Sequence, residues 1–299
     1  MLKIVRFIKP IVRTSGSILT LLFIFTMAGP ISGQDLVPYE MLLVGDSHIT
    51  GQGLHEQNKF YFLVKQWLQS EVFGSSRKVD LKIKAHAGSR ITVHKEELEK
   101  MQKLGDDIYE FHYVEANIST PSIIAQIDIA RKEYKDPASV NLVMLSGCIT
   151  DVLLADIVSP FYPARKLRER IHRFCGESMS NLLQYVTTTF PNAQVVVVGY
   201  FPIASSDSDI ETMAHYFLNI IDFPPKLHFL FTNPLSRQIL KIFRKLITKR
   251  SRLWLRESDR EMRAAIAKTN AGLDKPRILF VQSPIPERST YGTKKSLVW

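Results

Sequence analysis

The stretch EMLLVGDSHITGQG, residues 40–53, joins an apolar run to a Gly-Asp-Ser and two further glycines. Such a run, cut off by Gly45 and Asp46, reads as a buried strand that ends in a turn. Ser47 then has two readings. It is a nucleophile displayed where the strand stops, or it shares with Asp46 the capping of a helix.

Four more apolar runs follow: VDLKIKAHAG (79–88), VNLVMLSG (140–147), AQVVVVGYF (193–201) and RILFVQS (277–283). Segments with helical spacing lie between them, at 57–72, 121–134, 164–189 and 258–271. Strands alternating with helices predict a parallel sheet with helices on both faces. In such sheets ligands bind outside the carboxyl ends of the strands, where four of the five runs stop in Gly, Ser or Asp.

Residues 1–33 stand apart. Lys3, Arg6, Lys9 and Arg13 precede the apolar run Ile18–Ala28, and Gly29, Ser32 and Gly33 follow it. That is the layout of a secretory signal cleaved near Gly33, with an uncleaved signal anchor as the competing reading. The run falls short of the roughly 20 residues a membrane span needs. The expected product is secreted or periplasmic, with the working domain at 34–299. There Cys148 and Cys175 are either a disulfide or two buried thiols. Neither has the spacing of a zinc site.

The net charge of +10 is unevenly placed. Four basic residues belong to the signal, and residues 226–256 carry nine more with no acid among them, which leaves the remainder slightly acidic. A basic nucleic-acid-binding face is excluded on that distribution. The stretch at about 206–256 also interrupts the alternation of strands and helices. Prolines break DFPPKLHFLFTNP, and SRQILKIFRKLITKR then reads as an amphipathic helix. Ile239, Leu240, Ile242, Phe243, Leu246 and Ile247 share one face, with Arg237, Lys241, Arg244, Lys245 and Lys249 opposite. Such a helix covers one side of the sheet, or it serves as a lid or an element for an anionic membrane surface.

The chemistry gathers at successive strand ends. A serine hydroxyl needs a neighbouring base to become a nucleophile. Acyl transfer also needs donors aimed at a developing oxyanion, and these can come from separate loops at one edge. Gly88 ends the second run; Gly147, Thr150 and Asp151 end the third.

These three blocks, in this order, resemble the SGNH/GDSL hydrolase family. VGDSHITGQG matches its first block and AHAGSR its second. SGCITDV is similar to the third, usually Gly-x-Asn-Asp, and FPNAQVVVVGYFPIASSDS is similar to the fourth strand of some members. The resemblance covers roughly residues 38–299. It implies a flavodoxin-like three-layer α/β sandwich around a five-stranded parallel sheet, incomplete at the C-terminus. It also implies cleavage of a small-molecule or lipid ester through an acyl-enzyme on Ser47. The N–H groups of Ser47 and Gly88 would hold the oxyanion, with neither metal nor cofactor.

Two positions depart from the pattern. Thr150 stands where the family has an asparagine, and its hydroxyl is a shorter, stiffer donor. The family's Asp-x-x-His block is missing after the fifth run, so either the sequence is a truncated copy or the general base is lost. Substitutes would be His48, His86, His215 or His228. Asn117-Ile118-Ser119 fits a glycosylation acceptor, and Tyr109, Phe111, His112 and Tyr113 read as local packing. The sequence therefore reads as a serine hydrolase impaired for want of its base. The alternatives are a non-catalytic descendant that binds an acyl or glycan ligand, and a peripheral membrane protein built around the basic helix.

Overall fold

The structure, a computed structural model, describes residues 37–93, 117–209 and 237–296, with 95, 96, 99 and 103 between the first two stretches. The segment 1–33, the aromatic cluster at 109–113, and His215 and His228 lie outside the described residues. The chain divides between Val37 and Pro38, and every described element belongs to the Pro38–Trp299 unit.

All five apolar runs form strands: β1 (Tyr39–Val44), β2 (Val79–Ile83), β3 (Val140–Leu145), β4 (Gln194–Val198) and β5 (Ile278–Val281). They pair in parallel in the order β2-β1-β3-β4-β5. This is the flavodoxin-like order, whose direction of winding reverses between β1 and β3 and opens a crevice there. The first strand explains its own sequence. Met41, Leu42, Leu43 and Val44 are all fully buried, because a central parallel strand is covered on both faces. Leu42 and Val44 join the larger apolar cluster, while Met41 and Leu43 join the smaller one on the opposite face.

The helices are α1 (Ser47–Thr50), α2 (Phe60–Trp67), α3 (Ile123–Glu133), α4 (Ile149–Val152), α5 (Leu154–Val158), α6 (Ala164–Ile171), α7 (Met179–Thr189) and α8 (Arg237–Ala271). A π turn at His172–Ser178 runs α6 into α7. In α7, Met179, Leu182, Leu183 and Val186 are buried at helical spacing and pack on the larger cluster.

Helix α8 differs from the sequence reading in two ways. The basic segment and the segment at 258–271 are one helix of 35 residues, since no Gly or Pro separates them. Trp254, near its middle, is fully buried with its ring centroid 5.2 Å from that of Tyr200. The second difference is which side faces the sheet. Leu240 and Ile247 are buried, but Ile242 and Leu246 are 60% and 41% exposed. They lie among the lysines, because the residues that meet the core are set by Ser251 and Trp254 further along the same stripe.

Cover is also uneven across the sheet. On the smaller cluster's face, α2 and its π-turn extension pack over β1 and its neighbours. Towards the far edge the cover thins, and Leu279 and Val281 of β5 are 59% and 48% exposed. An open apolar trough runs along this face among the described residues.

The two cysteines resolve the alternative left open by the sequence: Cys148 and Cys175 form a disulfide, closing a loop of 27 residues. It ties the loop after β3 to the α6–α7 helix. A crosslink over this span contributes about 3 to 4 kcal/mol by restricting the unfolded chain. The Cys148→Ala/Cys175→Ala variant should lose about that much stability in urea unfolding, and reductant should no longer shift its midpoint.

Candidate active site

The strand ends converge on one buried carboxylate. Asp46 is fully buried and caps α1, its Oδ1 accepting from the His48 backbone N–H at 3.1 Å. Thus Ser47 stands both at a strand end and inside a capped helical turn, and the two sequence readings of it are compatible. The Ser146 hydroxyl, just past β3, donates to Asp46 Oδ1 at 2.6 Å. The Tyr200 hydroxyl, just past β4, donates to Oδ2 at 2.7 Å. Burial beside this carboxylate raises the Tyr200 phenol well above its ordinary range, so it remains a donor. Tyr200 Oη in turn accepts from the Ile149 N–H at 3.2 Å, which fixes the start of α4.

Gly45 allows this convergence. Its φ is +140°, and a Cβ there would lie 2.5 Å from the Ser146 carbonyl oxygen. Gln126, from α3, holds the same residue from the other side. Its Oε1 accepts from the Gly45 N–H at 2.8 Å, and its Nε2 donates to Ser89 Oγ at 2.8 Å. One buried amide therefore connects the turn after β1 to the turn after β2.

Ser47, Gly88 and Thr150 come together along the wall of one cavity of about 820 Å³. Among the described residues, neither the backbone N–H of Ser47 nor that of Gly88 has a hydrogen-bond partner. Both are left as donors. Gly88 has φ +82°, and a Cβ on it would meet the Ile118 carbonyl oxygen at 2.5 Å, so the close approach of these chains requires glycine. Thr150 sits half-buried on α4, a single turn bracketed by two non-glycine residues with positive φ, Cys148 at 107° and Leu153 at 71°. Conformations of this kind cost about 1–3 kcal/mol each and persist where the surroundings impose them.

Asn117 was read from the sequence only as a glycosylation acceptor. It lines the same cavity, and its Oδ1 lies 2.8 Å from where a Gly88 Cβ would sit. The Ile118 N–H donates to the Ala87 carbonyl at 3.3 Å and holds this segment beside the Gly88 turn. Among the described residues no partner takes the Asn117 side-chain amide. No spacing signal in the sequence could have placed it there, because the segments meet only through the fold.

The described histidines are turned elsewhere. His48 Nε2 donates to the Gly199 carbonyl at 3.0 Å, and its ring packs 5.1 Å from Tyr200 and 5.3 Å from Phe201. Burial lowers its pKa, opposed in part by Asp46. His86 is fully buried between the Pro121 and Ala87 carbonyls, at 2.8 and 2.9 Å, and supports the turn rather than facing the cavity. His172 bonds Glu261 at 2.8 Å, and His55 precedes an exposed turn. Among the described residues the Ser47 hydroxyl has no hydrogen-bond partner.

Much of the remaining wall is apolar, with Leu142 and Met144 of β3, Val196 and Val198 of β4, and Trp67, while Gln52, Asn58, Gln282 and Ser283 add polar groups. It continues into the trough along the sheet. Its size suits a small-molecule site, about 300–1,000 Å³. Among the described residues no cluster of metal-ligating side chains is present.

No protein-family model and no curated protein matches the sequence. Similar solved structures include an extracellular lipase from Streptomyces rimosus, 12% identical over 86% of each chain with a TM-score of 0.44. A phospholipase A1 from Streptomyces albidoflavus is 13% identical over 79% of this chain and 77% of its own, TM-score 0.38. A family 3 carbohydrate esterase from Clostridium thermocellum is 14% identical over 82% and 78%, TM-score 0.33. At these values the chemistry of the site rests on its own residues.

Asp151, beside Thr150, is a further buried carboxyl. Its Oδ2 accepts from the Ile91 N–H at 3.1 Å, yet burial outweighs that bond and raises its pKa to about 7. A carboxyl with a raised pKa in the folded state binds its proton more tightly there than when unfolded. Its contribution to stability therefore falls as pH rises from about 4 to about 7 and is level above. Asp151→Asn keeps an acceptor for Ile91 without the charge. Relative to the parent, the variant should gain stability through that pH window, as read by urea unfolding at a series of pH values.

Proposed function

We propose that this chain is a serine hydrolase of the SGNH type that cleaves carboxylic esters through an acyl-enzyme on Ser47. One observation carries the reading: Ser47 and Gly88 line one largely apolar cavity, and among the described residues the backbone N–H groups of both are unpartnered. The hydroxyl oxygen attacks the ester carbonyl, its proton passes to a base, and the carbonyl oxygen takes the negative charge among these donors. Collapse expels the alcohol with a proton, and water then releases the acid by the same route. The apolar wall of strand side chains suits an ester whose acid part is apolar.

Asn117 supplies what Thr150 lacks. A planar amide reaches further than a threonine hydroxyl and can donate through Nδ2, and its two terminal atoms exchange on a simple flip. We assign it the third oxyanion donor, with Thr150 as a weaker contributor. The base is the part that the described residues do not supply, so turnover is expected to be slow. Sites without a working triad still accelerate hydrolysis about a thousandfold over water through binding and the oxyanion hole.

A second reading follows from the same gap. With its cavity intact and its nucleophile unpartnered, the chain would bind an apolar acid or ester without turning it over. The two readings separate in one experiment, hydrolysis of activated aryl esters by the parent protein and by Ser47→Ala. Slow hydrolysis that Ser47→Ala abolishes, with a fluorophosphonate adduct mapped to Ser47, is the hydrolase result. Equal rates in both proteins, no adduct, and saturable fatty-acid binding would leave the binding protein.

For Asn117 the expected outcome is quantitative. Loss of one oxyanion donor costs about 100- to 1,000-fold in rate. Asn117→Ala should lower kcat by that order with little change in KM, and Thr150→Asn in that background should restore part of it. An unchanged kcat in Asn117→Ala, measured where the parent shows Ser47-dependent turnover, removes Asn117 from the site and leaves Ser47 in place.

A further inference from the structure

Helix α8 presents an outer stripe that the hydrolase reading does not use. Lys241, Lys245 and Lys249 are exposed along it, and none has an acidic partner among the described residues. Between them lie Ile242 and Leu246, 60% and 41% exposed. Phe161, from the connection between α5 and α6, is 76% exposed and extends the same patch, its ring 5.7 Å from that of Phe243. Arg252, one turn beyond, is neutralised by Glu287 at 2.7 Å and marks the end of the stripe. An ordinary solvated face would carry the lysines without three large apolar side chains among them.

The patch also has a fixed place relative to the cavity. Ser251 Oγ accepts from the N–H groups of Ile203 and Ala204 at 2.8 and 3.1 Å, and Ile203 is part of the cavity wall. Arg250 donates to the Asp156 carbonyl at 3.0 Å, in the middle of α5, whose Leu154 lines the cavity too. The basic half of α8 is therefore anchored along the edge of the sheet at which Ser47 sits.

We propose that this stripe docks the protein on an anionic lipid surface. Apolar side chains flanked by lysines match a bilayer interface, where the former enter the acyl boundary and the latter meet lipid phosphates and carboxylates. A nucleic acid would use the lysines but has no use for Ile242, Leu246 and Phe161 together. No helix of the described residues is long and apolar enough to cross a membrane.

The test is co-sedimentation of the full chain with phosphatidylcholine vesicles, with and without phosphatidylserine, at low and high salt. Binding should require phosphatidylserine and weaken with salt. The variant K241Q/K245Q/K249Q should bind about a hundredfold more weakly, since each lysine near such a surface contributes about fivefold. F161S/I242S should also weaken binding, with thermal melting unchanged in both variants. A triple variant that pellets like the parent overturns the proposal, because any binding then comes from elsewhere in the chain. So does a parent protein that ignores both vesicle types. Full vesicle binding by F161S/I242S, with duplex DNA bound as tightly as lipid, would make the patch a generic polyanion surface and overturn it as well.

Discussion

A single buried carboxylate organises the carboxyl edge of the sheet. Asp46 takes hydrogen bonds from the ends of β3 and β4 and from its own helical turn, through Ser146, Tyr200 and the His48 N–H. Bonds to a charged acceptor are roughly twice as strong as neutral ones, and removing one donor leaves a buried charge undersatisfied. The three strand ends are thus held in register by one side chain. Everything proposed for Ser47 depends on it, because an oxyanion hole acts only if its donors are in place before the charge develops.

Most of the architecture could be read from the residues. The five apolar runs are the five strands, and their parallel arrangement followed from the helices between them. Ser47, Gly88 and Thr150 meet at one cavity because each follows a strand whose carboxyl end points to the same edge. What escaped the sequence depends on distant segments meeting. Gln126 reads as one polar position in an amphipathic helix until it is found bonded to Gly45 and Ser89. Asn117 reads as a triplet until Gly88 is found against it. The facing of α8 was misread for a related reason. Helical periodicity gave Ile242 and Leu246 to the apolar side, but Ser251 and Trp254, anchored in the core, fix the rotation of the whole rod.

The site is uneven in its preparation. The proposed donors for a negative charge, the N–H groups of Ser47 and Gly88, are free of partners among the described residues, whereas no group there is placed to take the serine proton. His48 is the instructive case. It is adjacent to Ser47 in sequence, yet the turn sends the imidazole to the Gly199 carbonyl, where burial favours its neutral form. Adjacency along a helical turn places neighbours about 100° apart, so a residue next to Ser47 is poorly placed to act on its hydroxyl.

The trough that opens over β3, β4 and β5 has a practical side. Leu279 and Val281 leave the apolar wall of the cavity continuous with the solvent-facing edge of the sheet. An apolar wall open to solvent is a place where the tail of an amphiphile would lose contact with water. On the hydrolase proposal, detergents used to extract the protein or to disperse a water-insoluble ester would compete for the same wall as the acid part of that ester. Rates measured on micellar substrates would, on that proposal, report the detergent's partitioning as much as any preference for chain length.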